Sequence, residues 1–212
     1  MSYRRFFVAS FILTLALFVF AGTGEAQSTT AQTDNGAPIV PSGIVIDVDC
    51  PLLITGILGS GSTSWPSTSG DQTGRLNRNG IASTCAVPKV CSIFATDPGR
   101  AYDAYTFTNG TGVTACVVGE LEVITQEACN LQMNAYLNTY DPANICTGYL
   151  ADPGLSSGTP PTTPPPFSFD VPAGDDLILV VHTTNPGEIG CEYVITMSGD
   201  CIPVELQSLA IE

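Results

Sequence analysis

Basic residues are scarce in this sequence. Its 212 residues contain six Lys and Arg against twenty Asp and Glu, so the formal net charge at pH 7 is −14. Proteins that bind DNA, RNA or anionic lipid neutralise phosphate groups with clustered Lys and Arg. The composition therefore predicts that nucleic acid is not a partner, and the acidity favours solubility outside the cell.

Histidine is nearly absent as well, which narrows the enzyme classes. His182 is the one histidine, and no GxSxG elbow accompanies it. A catalytic triad requires three positioned roles, so we interpret His182 as structural. Glu120 and Glu122 share the polar face of one predicted strand, but neighbouring surface glutamates do not by themselves indicate a glycosidase pair. We expect no enzyme activity.

Long apolar runs are confined to the N-terminus. Two arginines precede the 16-residue run Phe6–Ala21, and Gly24-Glu25-Ala26 offers small residues for cleavage. Residues 1–26 are therefore predicted to be a signal peptide. The alternative is an uncleaved anchor, but a span needs roughly 20 apolar residues. We expect a secreted or cell-surface protein with no membrane span in the mature chain.

Helical periodicity is missing from the mature chain. Apolar and polar residues instead alternate in short segments bounded by Gly, Pro and Asn, as is typical of β-strands. The Asn109–Gly112 turn between Tyr102–Thr108 and Val117–Val123 predicts a β-hairpin. Leu131–Leu137 is predicted to be a half-buried strand, and the continuously apolar Leu177–Val181 a central strand covered on both faces. The fold class predicted is an all-β, jelly-roll-like antiparallel β-sandwich stabilised by disulfides.

Composition also divides the chain into segments. After the signal peptide we predict a flexible leader (27–42), short strands with a Gly/Ser/Thr loop (43–70), the sandwich domain (71–202) and a C-terminal strand or tail (203–212). Inside the domain, the long loop 138–166 ends in a proline-rich run. Long loops on rigid sandwiches often carry function.

The eight cysteines are even in number, which in an exported chain predicts four disulfides. No CxxC spacing is present, so a zinc site is not expected, and a nucleophilic cysteine would need His182 as its base. Eight cysteines allow on the order of a hundred pairings, and sequence alone cannot choose among them. If the last predicted strand lies antiparallel to Tyr102–Thr108, Cys191 falls close to Cys116. The topology then suggests the pairs Cys50–Cys201, Cys85–Cys91, Cys116–Cys191 and Cys129–Cys146.

Two sets of residues are candidate ligand sites. Asp141, Asn144 and Asp152 lie in the long loop, and acidic loops on exported sandwiches hold Ca²⁺ through carboxylate and carbonyl oxygens. The alternative is Asx-turn chemistry beside the loop prolines. No other cofactor is expected. Loop aromatics that could stack on sugar rings form the second set, with rings that close over the sandwich edge as the alternative: Trp65, Tyr140 and Tyr149.

Five segments together resemble a recurrent domain of bacterial secreted surface proteins: GRLNRNGIASTCAVPKVC (74–91), YDAYTFTN (102–109), DPANICTGYLADPG (141–154), FSFDVPAGDDLILVV (167–181) and GCEYVITMSG (190–199). Over about residues 70–200 the layout is similar to the pre-peptidase C-terminal domain and to CUB-like sandwiches. The resemblance implies a jelly-roll sandwich used as an accessory, adhesive or binding module, usually without catalysis of its own.

The function we expect is that of a non-catalytic extracellular adhesion or binding module, for a glycan or a cell-surface protein. One alternative is a self-associating subunit of a bacterial surface layer or fibre, with an edge strand such as Val204–Ile211 donated to a neighbour. A second alternative is an accessory domain of a secreted hydrolase.

Overall fold

The computed structural model describes residues 45–46, 50–62, 64–124, 129–158, 163–200, 202 and 204–205, with the backbone alone at 45, 46, 204 and 205. The predicted signal peptide and leader lie outside the described residues, as does most of the C-terminal tail. Within the described residues every regular element is a strand: β1 Val45–Ile46, β2 Leu52–Ile57, β3 Gly61–Ser62, β4 Thr68–Gln72, β5 Arg75–Leu76, β6 Ile93–Ala95, β7 Arg100–Thr108, β8 Ala115–Val123, β9 Leu131–Leu137, β10 Tyr149–Ala151, β11 Phe167–Val171, β12 Asp176–Thr183, β13 Glu192–Gly199 and β14 Val204–Glu205. The described residues contain no helix long and apolar enough to cross a membrane.

Two five-stranded sheets make up the fold. The first sheet has the order β10-β9-β12-β7-β4 and the second the order β11-β8-β13-β2-β3. Two short ribbons, β1–β14 and β5–β6, lie outside them. Neighbouring strands are antiparallel throughout. The predicted all-β, antiparallel sandwich is confirmed, although the strand order does not establish a jelly roll. Strands β2, β3 and β4 belong to the two main sheets, so the sandwich begins before residue 71.

One apolar core lies between the two sheets. Period-two alternation places Tyr105 and Phe107 of β7 on the inner face of the first sheet, and Val117 and Leu121 of β8 on the inner face of the second. These side chains are almost completely buried. Full burial of a side chain of this size contributes about 1.5–3 kcal/mol each, so the core supplies the main driving force for folding.

Strand β12 is central, as its apolar sequence predicts. It pairs with β7 on one side and β9 on the other, and Val180 and Val181, which face opposite ways, are both fully buried. Burial on both faces explains why this segment shows no alternation.

The predicted hairpin is wrong. Strand β7 lies in the first sheet and β8 in the second, so residues 109–114 form an arch that crosses the end of the core. Asn109 is buried within this arch, where its amide donates to the carbonyl oxygens of Val113, Val171 and Pro172 at 2.9, 2.7 and 3.1 Å. A hairpin and an arch have the same alternation, because both join two half-buried strands.

The outer face of the first sheet is covered, which corrects the prediction that β9 is half-buried. Gln132, Asn134 and Tyr136 point away from the core, yet each is fully buried. They lie beneath the loops of two segments, residues 73–98 and 138–158, which also contain the short strands β5, β6 and β10; we call these two segments the covering layer. Backbone hydrogen bonds join the two loops, from Thr73 N–H to Pro142 O (2.7 Å) and from Ser83 N–H to Asp152 O (2.9 Å).

Among the residues that the structure describes, three disulfides brace this arrangement, and their pairing differs from the predicted one. The bonds are Cys85–Cys116, Cys91–Cys146 and Cys129–Cys191. The predicted pairs Cys85–Cys91, Cys116–Cys191 and Cys129–Cys146 are therefore wrong. The predicted pair Cys50–Cys201 lies outside the described residues, because Cys201 is not among them.

Strand register explains the error. The prediction placed the last strand beside β7, whereas β13 pairs with β8 and β2. Antiparallel pairing brings Cys116 beside Asp200, at the far end of β13 from Cys191. Cys191 instead bonds Cys129, which precedes β9 of the first sheet, and so this bridge joins the two sheets. In the chain-entropy description a bridge of this kind stabilises the fold by about 2–4 kcal/mol.

Candidate functional site

Two of the three aromatic candidates are brought together, but inside the covering layer. The rings of Tyr140 and Tyr149 lie 4.7 and 6.3 Å from the ring of Tyr136 on the outer face of β9. Tyr140 donates its hydroxyl hydrogen to Gln72 at 2.7 Å, and Tyr149 donates to Asp152. Burial raises the pKa of both phenols. These rings pack over the sheet, and each is only partly exposed.

Trp65 lies apart from that cluster. It follows β3, is half-buried, and packs with its ring centroid 5.4 Å from that of Phe107 at the edge of the core. Its backbone N–H donates to Ser62 at 3.1 Å. Trp65 therefore acts as a core residue at the margin of the sandwich.

The residues predicted to bind calcium make hydrogen bonds within the protein instead. One carboxylate oxygen of Asp152 accepts from Lys89 at 2.6 Å and from the Gly154 N–H at 2.5 Å, and the other accepts from Tyr149. The Lys89 ammonium makes two further bonds, to Asn79 and to the Ile81 carbonyl. A cation beside this ammonium would be repelled, so Asp152 joins the two loops of the covering layer rather than holding a metal.

Asp141 forms an Asx turn, which was the alternative to calcium binding. Its carboxylate accepts from the Ala143 N–H at 2.9 Å, which is an Asx turn, and its carbonyl accepts from the Asn144 N–H at 3.0 Å. Among the described residues, the one close grouping of three potential metal ligands is Cys85, Cys116 and Asp170. The sulfur atoms of Cys85 and Cys116 are bonded to each other in a disulfide, so they are not thiolate ligands. The geometry gives calcium no support.

His182 lies fully buried on the outer face of β12 beneath the covering layer. Its Nδ1 lies 2.8 Å from the Thr183 carbonyl and must donate to it, so Nε2 accepts from the Asn134 amide at 2.9 Å. Burial lowers the pKa of His182 to about 4, with a smaller contribution from nearby Arg100 and Arg75. The ring is neutral at pH 7, and both nitrogens serve structure.

A buried carboxylate between the sheets was not anticipated as a site. Asp103 is fully buried and faces the core. It accepts hydrogen bonds from Tyr193 at 2.7 Å, from Ser69 at 2.5 Å and from the Gly59 N–H at 3.3 Å. These donors come from β13, β4 and the β2–β3 turn. The sequence did contain a signal for this cluster, because Asp103 lies two residues before Tyr105 and therefore on the same, core-facing side of β7.

Space for this cluster is provided by Gly56. A Cβ atom at Gly56 would lie 2.5 Å from the phenol of Tyr193 and 2.8 Å from the hydroxyl of Tyr105. The two hydroxyls are themselves 2.7 Å apart. Burial raises the pKa of both phenols, so they stay protonated and can donate. The result is a hydrogen-bonded chain that fixes the β2–β3 turn against the first sheet.

The outer face of the second sheet is open where β2, β13 and the end of β8 meet, whereas the covering layer reaches its β11 edge through Cys85–Cys116 and the Ser168 N–H to Ser83 O hydrogen bond. In this open part, alternation on β2, β8 and β13 points eight residues outward, and we call them the open sheet face: Leu53, Thr55, Ile57, Glu120, Glu122, Glu192, Val194 and Thr196. At its β2–β13 end a groove of about 330 Å³ is lined by Ile57, Ile124, Val194 and the β2–β3 turn. Apolar walls beside carboxylates give this face the mixed chemistry of a recognition surface.

Sequence reasoning noticed Glu120 and Glu122 but missed the face, because the pairing of β2 with β13 joins segments far apart in the chain. The fold and these surfaces define the class of the protein as a disulfide-braced β-sandwich with one covered and one open face. Comparisons with known proteins found no matching family, no similar curated protein and no similar solved structure. The resemblance to pre-peptidase C-terminal and CUB-like domains therefore stays a prediction.

The Asp103 cluster predicts a large effect of an isosteric change. In Asp103→Asn an amide hydrogen would face the donors that surround the site, and a charge-assisted hydrogen bond would be lost. We expect the free energy of unfolding to fall by about 2–4 kcal/mol, measured by urea denaturation. Asp71→Asn on the exposed part of β4 is the matched control and should change it by less than about 0.5 kcal/mol. Equal stability of the two variants would contradict the role assigned to Asp103.

Because His182 is buried in its neutral form, we expect the protein to lose stability in acid. Its folded pKa of about 4 lies below the ordinary value of 6.5, so the unfolded chain takes up a proton first as the pH falls. Its contribution to stability should decrease between these two values, by roughly 2 kcal/mol from pH 7 to pH 4.5. In His182→Gln the fall over this range should be smaller by that amount. Identical pH profiles for the two proteins would show that His182 is not buried neutral.

Proposed function

We propose that the chain is a non-catalytic extracellular binding module that holds its partner on the open sheet face. The observation that carries this proposal is the asymmetry of the two sheets. One outer face is covered by cystine-braced loops that backbone hydrogen bonds and the Lys89–Asp152 ion pair join to one another. The other leaves Leu53 and Ile57 exposed beside a groove. Exposed apolar side chains rimmed by charge are the usual mark of an interaction site.

Charge identifies the kind of partner. The open sheet face carries Glu120 and Glu122, and none of the six Lys and Arg residues of the chain lies on β2, β8 or β13. A partner of opposite sign is attracted over a distance and docks in a defined orientation. Apolar side chains at Leu53 and Ile57 then favour a partner that is itself partly apolar. A basic, partly apolar protein segment fits both requirements.

The position of the aromatic rings favours a protein partner over a glycan. Sugar recognition commonly uses exposed ring faces, and the rings of Tyr140 and Tyr149 are packed inside the covering layer. The open sheet face presents aliphatic side chains and carboxylates instead. A role on bacterial surfaces is consistent with the predicted signal peptide and with the disulfides, which persist in oxidising compartments.

Fluorescence anisotropy with a labelled peptide of alternating Lys and Val tests this proposal. We expect saturable binding that weakens as salt is added, because surface charges are screened within about 10 Å at 0.1 M salt. The double variant Glu120→Gln/Glu122→Gln should bind about three- to tenfold more weakly, since each rim charge contributes up to about 1 kcal/mol.

The control is Asp71→Asn/Asp175→Asn, which removes the same charge away from the open sheet face. It should bind the peptide as the parent chain does. An equal loss of affinity in both double variants would mean that net charge alone attracts the peptide. No saturable binding at low salt, or saturable binding to a glycan that is indifferent to Glu120 and Glu122, would overturn the proposal.

A further inference from the structure

The covering layer carries an exposed apolar patch of its own. Five of the large apolar side chains that the described residues leave exposed fall within residues 81–94, with between 44% and 89% of each side chain exposed. We call them the layer patch: Ile81, Val87, Val90, Ile93 and Phe94. Apolar exposure this concentrated in one segment marks a contact surface rather than scattered surface residues.

The layer patch is held rigid. Cys85 bonds Cys116 on β8 and Cys91 bonds Cys146 in the other loop, so both ends of the segment between them are fixed. The Arg75 guanidinium lies 4.0 Å from the centre of the Phe94 ring, which orients the ring. A pre-ordered surface loses little conformational entropy when it binds, so its apolar area is available for association.

Charge identifies what can cover this patch. The covering layer contains three basic residues, Arg75, Arg78 and Lys89, and three acidic ones, Asp97, Asp141 and Asp152, so its net charge is zero. The chain as a whole carries −14. Two copies therefore repel each other least when their covering layers face each other, because every other approach brings acidic surfaces together. The layer patch is the neutral, apolar surface on which a second copy can dock.

We propose that two copies of the chain associate through the layer patch about a twofold axis. Each patch contacts the same patch of the other copy, as in any isologous interface, and so apolar area meets apolar area. Strand β6 contains two of these residues, and among the described strands it pairs with β5 alone, so its second edge is also available. The layer patch contains no residue of the open sheet face, so that face is not part of the proposed contact.

Sedimentation velocity of the parent chain and two variants tests the dimer. The parent should shift from the mass of one chain to that of two as concentration rises over about two decades, and added salt should favour the dimer by screening the acidic surfaces. Val90→Glu places one negative charge in the layer patch of each copy, so like charges meet across the interface. The dimer dissociation constant should therefore rise at least about tenfold. Circular dichroism checks that the variant remains folded.

Val113→Glu is the matched control, because Val113 is also largely exposed, at 65% against 89% for Val90, but lies in the arch between β7 and β8. It should leave the dimer intact. A parent chain that stays at the mass of one chain at every concentration would overturn the proposal. So would a dimer that survives Val90→Glu, and so would one that Val113→Glu disrupts equally.

Discussion

Asp103 carries a carboxylate into the space between the sheets, where it forms no ion pair with a described Lys or Arg. A buried charge in that position is strongly unfavourable unless hydrogen-bond donors surround it. Tyr193, Ser69 and the Gly59 N–H provide them, and they come from β13, β4 and the β2–β3 turn. The need to satisfy one carboxylate thus fixes how both sheets meet at this end, and it holds the turn that lines the groove of the open sheet face.

The two outer faces divide the tasks of stability and recognition. His182 bonds Asn134 beneath the covering layer, Asp152 bonds Lys89 within it, and Cys91–Cys146 ties its two loops together. The second sheet needs no cover, because its outer face mixes hydroxyls and carboxylates with isolated aliphatic side chains. A rigid sandwich with one closed side can therefore present a fixed recognition surface on the other.

Local pattern was enough to predict strands such as β9 and β12, but it missed β4, which was interpreted as part of a Gly/Ser/Thr loop, and it could not predict the strands' partners. Alternation identified β9 and the continuous apolar run identified β12, since these depend on the residues of one segment. The β7–β8 arch was mistaken for a hairpin because the contacts that mark it are not local. The Asn109 amide donates to the carbonyls of Val171 and Pro172, which are distant in the sequence. The disulfide pairs were predicted wrongly because the last strand was placed beside β7, whereas it pairs with β8 and β2. Tyr140 and Tyr149 were picked as loop aromatics that either stack on a sugar or close over the sandwich edge, but what they contact, the covered face of β9, depends on tertiary structure.

The claim that the open sheet face is the contact surface can be tested most directly by carboxyl-group labelling with mass spectrometry. The labelling rates of Glu120 and Glu122 would be compared between the purified chain and the chain in the medium or on the surface of the cells that make it, with exposed Asp71 as the internal reference. The account predicts slower labelling of the two glutamates in the native setting and an unchanged rate at Asp71. Equal rates at Glu120 and Glu122 in both settings would contradict it.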